Sequence, residues 1–466
     1  MMTSEDLRRV HESGLRVLEE TGVIFRHQET ADLCAARGLA VDGRRVRMTA
    51  EQVEAALATI PQSFALHARN PARDLVFGGE NLVVASAAGP AFVLEGTVMR
   101  PATDADLVGS IQLAHMAPNV DMIGFPLEPQ DIPTAGRYAR SVECALTLSD
   151  KPLEYAVSTA EHLQTVLDTS RIVHGAGWHE RPRAFVVVNT VSPLQFEEDV
   201  CLTILEMARR TQPVCVTPCA MGGTTAPVTT AGLLVLQHAE TLAGLVLVQL
   251  VQPGCPVVYG GTSSRASMVT GDILMGVPEY WATMTATVEL ARSLRLPCRA
   301  GGALTDAHLP DMQAGVESAL GLASVIQAGV NFILHGSGII SAFNALSFEK
   351  FVIDDETVGM LRAWRSGILV SRESLAVEVI EAVGPGGNFL LQEHTVAHCR
   401  DGGRPSFFNR RKRDSWERQG GLDIVEAAGR RVRAMLDSYR APELDSRISR
   451  RLSEYASGHG SVTGME

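Results

Sequence analysis

Several kinds of chemistry are missing from this 466-residue chain. Its eight cysteines form no Cys-x-x-Cys, so ribbon-type zinc sites and dithiol motifs have no framework and the thiols are expected to be reduced. The closest pair, Cys215 and Cys219, falls on an expected strand, where four residues span about 13 Å. That is too far to share an ion. No Gly-x-Ser-x-Gly, His-Glu-x-x-His or dinucleotide fingerprint occurs, so nucleophile-elbow hydrolases, zincins and dinucleotide enzymes lose support. Gly222-Gly223-Thr224-Thr225 precedes a helix but lacks the lysine and spacing of a phosphate loop, and reads as a tight turn. A net charge of −12 disfavours a nucleic-acid surface. The densest basic stretch, from Arg404 to Arg418, contains Trp416 and two phenylalanines and is expected to fold over the rest of the protein. No apolar segment follows Met1, from which a cytoplasmic location is expected. The longest apolar stretch, 231–251, is interrupted by Gln237, His238, Glu240, Thr241 and Gln249, the pattern of a buried helix rather than a membrane span. Thr225 is its expected N-cap, with Pro227 in the first turn.

What is present has a period. Between Val120 and His398 a short apolar run, a Gly- or polar-rich break and a helix-period segment recur eight times. The runs are 120–126, 153–158, 185–191, 213–218, 256–261, 296–301, 331–336 and 389–394. Most are continuously hydrophobic, as parallel strands buried on both faces must be. Eight such units predict an α/β fold, a (β/α)8 TIM barrel with its site at the C-terminal ends of the strands. Residues 1–112 read as a smaller α+β cap, with helices after the capping pairs Thr3–Asp6 and Thr49–Gln52 and short strands near 63–67, 74–78, 82–86 and 91–94. The barrel with two terminal helices is expected over 113–456, and a disordered tail over 457–466.

The strand ends supply the candidate residues. Asp306 follows the sixth run in a Gly-rich loop, where it either neutralises a cation, acts as a base, or caps the helix starting near Pro310. Asp311 and Glu279 read as first-turn helix charges. His394 and His398 are four apart; on a strand they lie about 13 Å apart and share no ion. One of them polarises substrate, or the pair is structural. Phe125, Tyr259, His335, Ser337 and Glu393 stand at or beside other strand ends. His238 and Glu240 read as satisfied core polar groups.

Long segments then carry a family resemblance. Gly222-Gly-Thr-Thr-Ala-Pro-Val-Thr-Thr-Ala-Gly232, His238-Ala-Glu-Thr-Leu-Ala-Gly244, Gln249-Leu-Val-Gln-Pro-Gly-Cys-Pro-Val-Val-Tyr259 and Thr270-Gly-Asp-Ile-Leu-Met-Gly-Val-Pro-Glu279 resemble the trimethylamine methyltransferase family. So do Gly302-Ala-Leu-Thr-Asp-Ala-His308, Asp311-Met-Gln-Ala-Gly315, Ser347-Phe-Glu-Lys-Phe-Val-Ile-Asp354 and Gly384-Pro-Gly-Gly-Asn-Phe-Leu-Leu391 with His394-Thr395. The resemblance implies a corrinoid-dependent methyltransferase that moves an N-methyl group to the cobalt of a separate corrinoid protein docked on the barrel mouth. Founding members carry pyrrolysine in the segment matching His335–Ile340; here Gly336-Ser337-Gly338 stands there, so the chain resembles the non-pyrrolysine branch that acts on quaternary amines such as glycine betaine. Where betaine-type relatives carry a Gly-Trp-Leu-Glu-Gly-Gly-like stretch, this chain reads Gly338-Ile-Ile-Ser-Ala-Phe343.

A quaternary nitrogen leaves as a neutral amine, so the protein has to aim the methyl, remove water and hold the cation. Asp306, Glu393, Phe125, Tyr259 and Phe343 are the candidates for holding it, by charge and cation–π contact. His335 and His394 are the candidates for steering, with Ser337 beside them. The expected partners are a cognate corrinoid protein and a small methylated amine, with neither nucleic acid nor membrane and with no bound metal; a homo-oligomer is compatible with the sequence. Two alternatives stay open: the same barrel and partner with another methyl donor, and a non-catalytic small-molecule-binding homologue.

Overall fold

In the computed structural model, which describes residues 2–125, 127–401 and 407–460, seven short strands form one parallel sheet. Their order is Val83–Val84, Phe332–Ile333, Cys298–Arg299, Val257–Gly260, Val214–Val216, Phe185–Val188 and Glu154–Ala156. The two edges are joined by residues 122–123, through parallel bridges from Met122 to Ala85 and from Ile123 to Leu153. Eight strands therefore close into a barrel. Following the register once round, from Glu154 to Phe185 and on through Cys215, Gly260, Phe332 and Met122, returns to Glu154 after a climb of eight residues. That is the stagger of a (β/α)8 barrel. A helix follows each strand, from Asp104–Met116 after the first to Phe348–Arg365 after the eighth.

The expected count of eight holds, but its frame is shifted by one unit. The first barrel strand, Val83–Val84, lies inside the segment expected to be cap, and the run 389–394 is no strand. Leu390 and Leu391 are 73% and 91% exposed, and the run passes into the helix Glu393–His398. A barrel strand is covered on both faces, whereas this run is covered on neither. A short apolar run has no period of its own to show which it is. The true first strand is two residues long and lies between Gly78-Gly79 and Gly89-Pro90, too short to stand out. Pro126, at the end of the first expected run, lies outside the described residues, as do Arg404 of the basic stretch and 461–466 of the tail.

One end of the barrel is sealed. The hairpin Ser63–Leu66 with Leu75–Gly78 sends Phe64, Leu66 and Phe77 into the interior cluster. Phe77 stacks on Phe185 with ring centres 5.0 Å apart and meets Phe332 edge-on at 5.6 Å. Chemistry is left to the opposite, C-terminal end.

The helix Thr230–Val251 is long and apolar enough to cross a membrane by composition alone, but it is buried. Helices Ser4–Glu20 and Ala50–Leu57 cover its outer face while the barrel covers the inner one, which is why it is apolar all round. Its N-cap is Thr229 rather than Thr225. Thr225 belongs instead to a tight turn in which the amides of Thr224, Thr225 and Ala226 all donate to Met221 O. The C-terminal helices Ile424–Ser438 and Ser446–Gly460 pack against Phe348–Arg365 and Thr134–Leu148.

Candidate active site

Alternate residues of each strand point into the barrel, and the register sorts them into layers drawn from every second strand. Met122, Phe185, Val258 and Phe332 form an apolar layer above the hairpin plug. On the next layer stand Ala85, Glu154, Cys215 and Arg299, which sets Glu154 across the axis from Arg299. Higher up, Ala87, Gly124, Ala156 and Gly260 are small inward positions, so on their strands little side-chain volume separates the charged pair from the mouth.

Glu154 is fully buried. Its Oε2 accepts the Phe125 amide at 2.8 Å, and Oε1 has no partner. Burial pushes its carboxyl up to about 7 despite the opposing Arg299 charge. Arg299 is 1% exposed; its Nη1 donates to Gly261 O at 2.9 Å and its Nε has no acceptor. Among the described residues no carboxylate lies within ion-pair distance of this guanidinium.

Around the mouth, Ser158, Asn189 and Cys219 are exposed at the ends of three neighbouring strands. On the Glu154 side, Phe125, Tyr138 and His162 form a stack, with centre distances of 4.7 and 3.8 Å; the Tyr138 hydroxyl is buried without a partner. On the Arg299 side, His335 Nδ1 accepts the Ala88 amide at 3.2 Å, which leaves the ring proton on Nε2. Burial, reinforced by Arg299, depresses its pKa to about 3, so this imidazole is neutral. Phe343 meets His335 edge-on at 5.1 Å, and Ser337 Oγ is buried without a partner. Ser341, Ala342 and Phe343 all have positive φ, at 54°, 46° and 74°, a conformation that favours glycine. Hydrogen bonds from the Ser341 and Ala342 amides to Ala307 O and Thr305 O hold this turn against its neighbouring loop.

Of the expected site residues, Phe125, His335, Ser337 and Phe343 surround the mouth. Four others do not. Tyr259 faces outward, its hydroxyl 2.6 Å from Nδ1 of the core residue His238, because its place in the strand is one off the inward set. Asp306 accepts the amides of Met275 and Gly276 at 2.9 Å each, so it staples two loops to each other. Glu393 and His394 sit on the outlying helix Glu393–His398, with the wrongly expected strand. That helix brings the His394 and His398 rings to 4.4 Å, closer than a strand allows. Glu279 lies in the first turn of Pro278–Ser293, as expected, whereas Asp311 is not a first-turn charge but the N-cap of Met312–Ala328, its side chain accepting the Ala314 amide. Glu154 and Arg299 were missed. Their signal was there: a charge inside the apolar runs Pro152-Leu-Glu-Tyr-Ala156 and Pro297-Cys-Arg-Ala300. Among the described residues no three His, Cys, Asp or Glu side chains gather as metal ligands.

Comparison with known proteins adds a lineage to this geometry. The family model described as trimethylamine methyltransferase (MTTB) matches residues 1–460. The glycine betaine methyltransferase of Desulfitobacterium hafniense (strain Y51) is 35% identical over 472 residues, covering 100% of this chain and 98% of that protein. The proline betaine:corrinoid methyltransferase of Eubacterium limosum is 28% identical over 459 residues, covering 95% and 94%. In structure, the monomethylamine methyltransferase (MtmB) of Methanosarcina barkeri superposes with a TM-score of 0.53 at 12% identity, over 93% of this chain and 88% of that one.

Proposed function

Because the chain belongs to the trimethylamine methyltransferase family, we propose that it moves a methyl group from a quaternary or tertiary amine to the reduced corrinoid of a separate partner protein. The observation that carries this reading is the unpartnered Oε1 of Glu154 at the foot of the mouth. A buried carboxylate with a free oxygen is a poor structural element and a good receiver for a desolvated ammonium ion. The cation draws the carboxyl towards its ionised form, and the two charges neutralise each other out of water. The aromatic stack beside it presents π-faces to the N-methyl groups.

The corrinoid supplies the nucleophile. The chain's own part is to fix the C–N bond in line, exclude water and keep the leaving amine in place. Its residues fit an external acceptor. Burial pushes the Cys219 thiol up, so it stays protonated, and the exposed residues Ser158 and Asn189 leave the rim open to a docking protein.

The test mixes the full chain with a reduced corrinoid protein and a panel of methylated amines, following the corrinoid spectrum. Methylation with at least one N-methylated amine is expected. Tight binding of an amine without methylation would instead support the non-catalytic alternative.

A further inference from the structure

We propose that the segment 367–400 is an exchange arm, which seats in an apolar groove on a second copy of the chain while the arm of that copy returns the contact. Such a dimer forms whether or not the chain transfers methyl groups. The arm is thirty-four residues long and holds ten large apolar side chains that face solvent, among them Ile368, Leu369, Val377, Ile380, Leu390 and Val396. Its helices Arg372–Leu375, Val377–Val383 and Glu393–His398 are four, seven and six residues long, and none of their residues is buried. Helices that short do not hold in water by themselves, and an apolar surface of this extent marks a protein contact. The arm also has the scale of one side of a stable interface, about 20–30 residues.

The same chain carries a matching vacancy. A groove of about 740 Å³ opens between the helices Met312–Ala328, Phe348–Arg365 and Ile424–Ser438, with Leu309, Met312, Val316, Ile353, Ile424 and Val425 in its wall. Met312, Val316 and Leu320 lie four apart and so form one stripe along their helix, and they are 85%, 51% and 47% exposed. Arm and groove both need covering, and a two-fold dimer covers both with one operation; a different protein would cover one and leave the other. The root of the arm points the same way. Arg365, where the preceding helix ends, donates to Glu80 O at 3.1 Å, and Glu80 precedes the first barrel strand, at the sealed end. A protein docked on the mouth approaches the opposite end. Charge allows the pairing as well. The arm has four glutamates against two arginines, and Arg410, Arg411, Lys412 and Arg413 form an exposed basic run beyond it, so two chains of net charge −12 have opposite charges to set across the contact.

Sedimentation velocity of the full chain at micromolar concentration tests the exchange. Wild type is expected to sediment as a dimer. The double variants Leu390→Glu/Leu391→Glu in the arm and Met312→Glu/Val316→Glu in the groove should each raise the dimer dissociation constant about 100-fold or more. All four residues are exposed in the single chain, so the barrel keeps its fold; circular dichroism checks this, and serine pairs at the same positions replace a variant that fails to fold. An equimolar mixture of the two glutamate variants then separates exchange from other contacts. Its heterodimer has one intact arm–groove pair, so dimers should reappear that neither variant forms alone. A monomeric wild type, or wild-type dimer affinity in either variant, would overturn the exchange. Mixing that restores no dimer would mean that arm and groove do not meet, and would overturn it too. So would an arm variant that stays dimeric but no longer holds a corrinoid protein, which would give the arm to that partner.

Discussion

Two sets of buried polar groups lie on opposite faces of the same barrel wall, and they are finished differently. Outside the sheet, Tyr259 hydroxyl meets His238 Nδ1 at 2.6 Å, His238 Nε2 meets His11 Nδ1 at 2.9 Å, and His11 Nε2 meets Glu54 at 2.7 Å. Nearby, Glu240 receives the hydroxyls of Thr190 and Ser192 and the Leu194 amide at 2.5, 2.9 and 2.7 Å. Inside the barrel, Glu154, Arg299 and Ser337 each keep a buried atom without a partner. A buried group left unmatched costs about 1–3 kcal/mol, and more when charged. The outer network therefore stabilises the fold, while the inner groups are held ready for something that arrives from the mouth.

That contrast can be broken by mutation. Removing Glu240 strands three donors at once, so Glu240→Ala should lower unfolding stability by roughly 3–5 kcal/mol. Denaturant titration checks this against Glu154→Gln, which should cost far less. Similar losses in the two variants would erase the distinction between the networks.

The inner face also predicts a pH response. The Glu154 carboxyl is near 4.5 when unfolded and about 7 when folded. Below both values the two states are equally protonated. As pH rises past 4.5 the unfolded chain ionises first, so the ligand-free protein loses roughly 3 kcal/mol of stability across that window and then levels off. Melting curves from pH 4.5 to 8 should show a fall that is smaller by this amount in Glu154→Gln than in the wild type, since Asp355, pushed up to about 6 by burial, contributes in the same direction in both.

Smaller effects sharpen the boundary between staple and site. Asp306→Asn should weaken the joint to Met275 and Gly276 by about 1–2 kcal/mol while leaving amine affinity unchanged; a large loss of affinity would return Asp306 to the site. Phe343→Gly relieves a left-handed backbone worth about 1 kcal/mol and forfeits a ring contact of similar size. Its stability should therefore barely move, while methyl transfer slows because the His335 ring loses its rest.

The barrel was legible because eight βα units impose a coarse period on the whole chain. Its frame was not. The strand Val83–Val84 is too short to register, and the apolar run 389–394 imitates a strand without being covered. That single slip carried Glu393 and His394 into the expected site, since any residue at a supposed strand end becomes a candidate. Phe125, His335, Ser337 and Phe343 lie at the mouth because they follow true strands or the loop after the last one. Glu154 and Arg299 were overlooked for the opposite reason: attention went to strand ends, whereas the climb of the register places mid-strand side chains within reach of the mouth. Tyr259 shows the limit of sequence position alone, since one residue of strand parity separates the barrel interior from the helix layer.

The most direct trial of the cation site is a calorimetric titration of wild type and Glu154→Gln with glycine betaine at pH 6 and pH 8. Wild type is expected to bind several-fold tighter at pH 8, where the ionised carboxylate is available, and the glutamine variant to bind about 10- to 100-fold more weakly at pH 8 with no response to pH. Wild-type affinity in Glu154→Gln at both pH values would contradict the assignment of Glu154 as the group that holds the methylated ammonium.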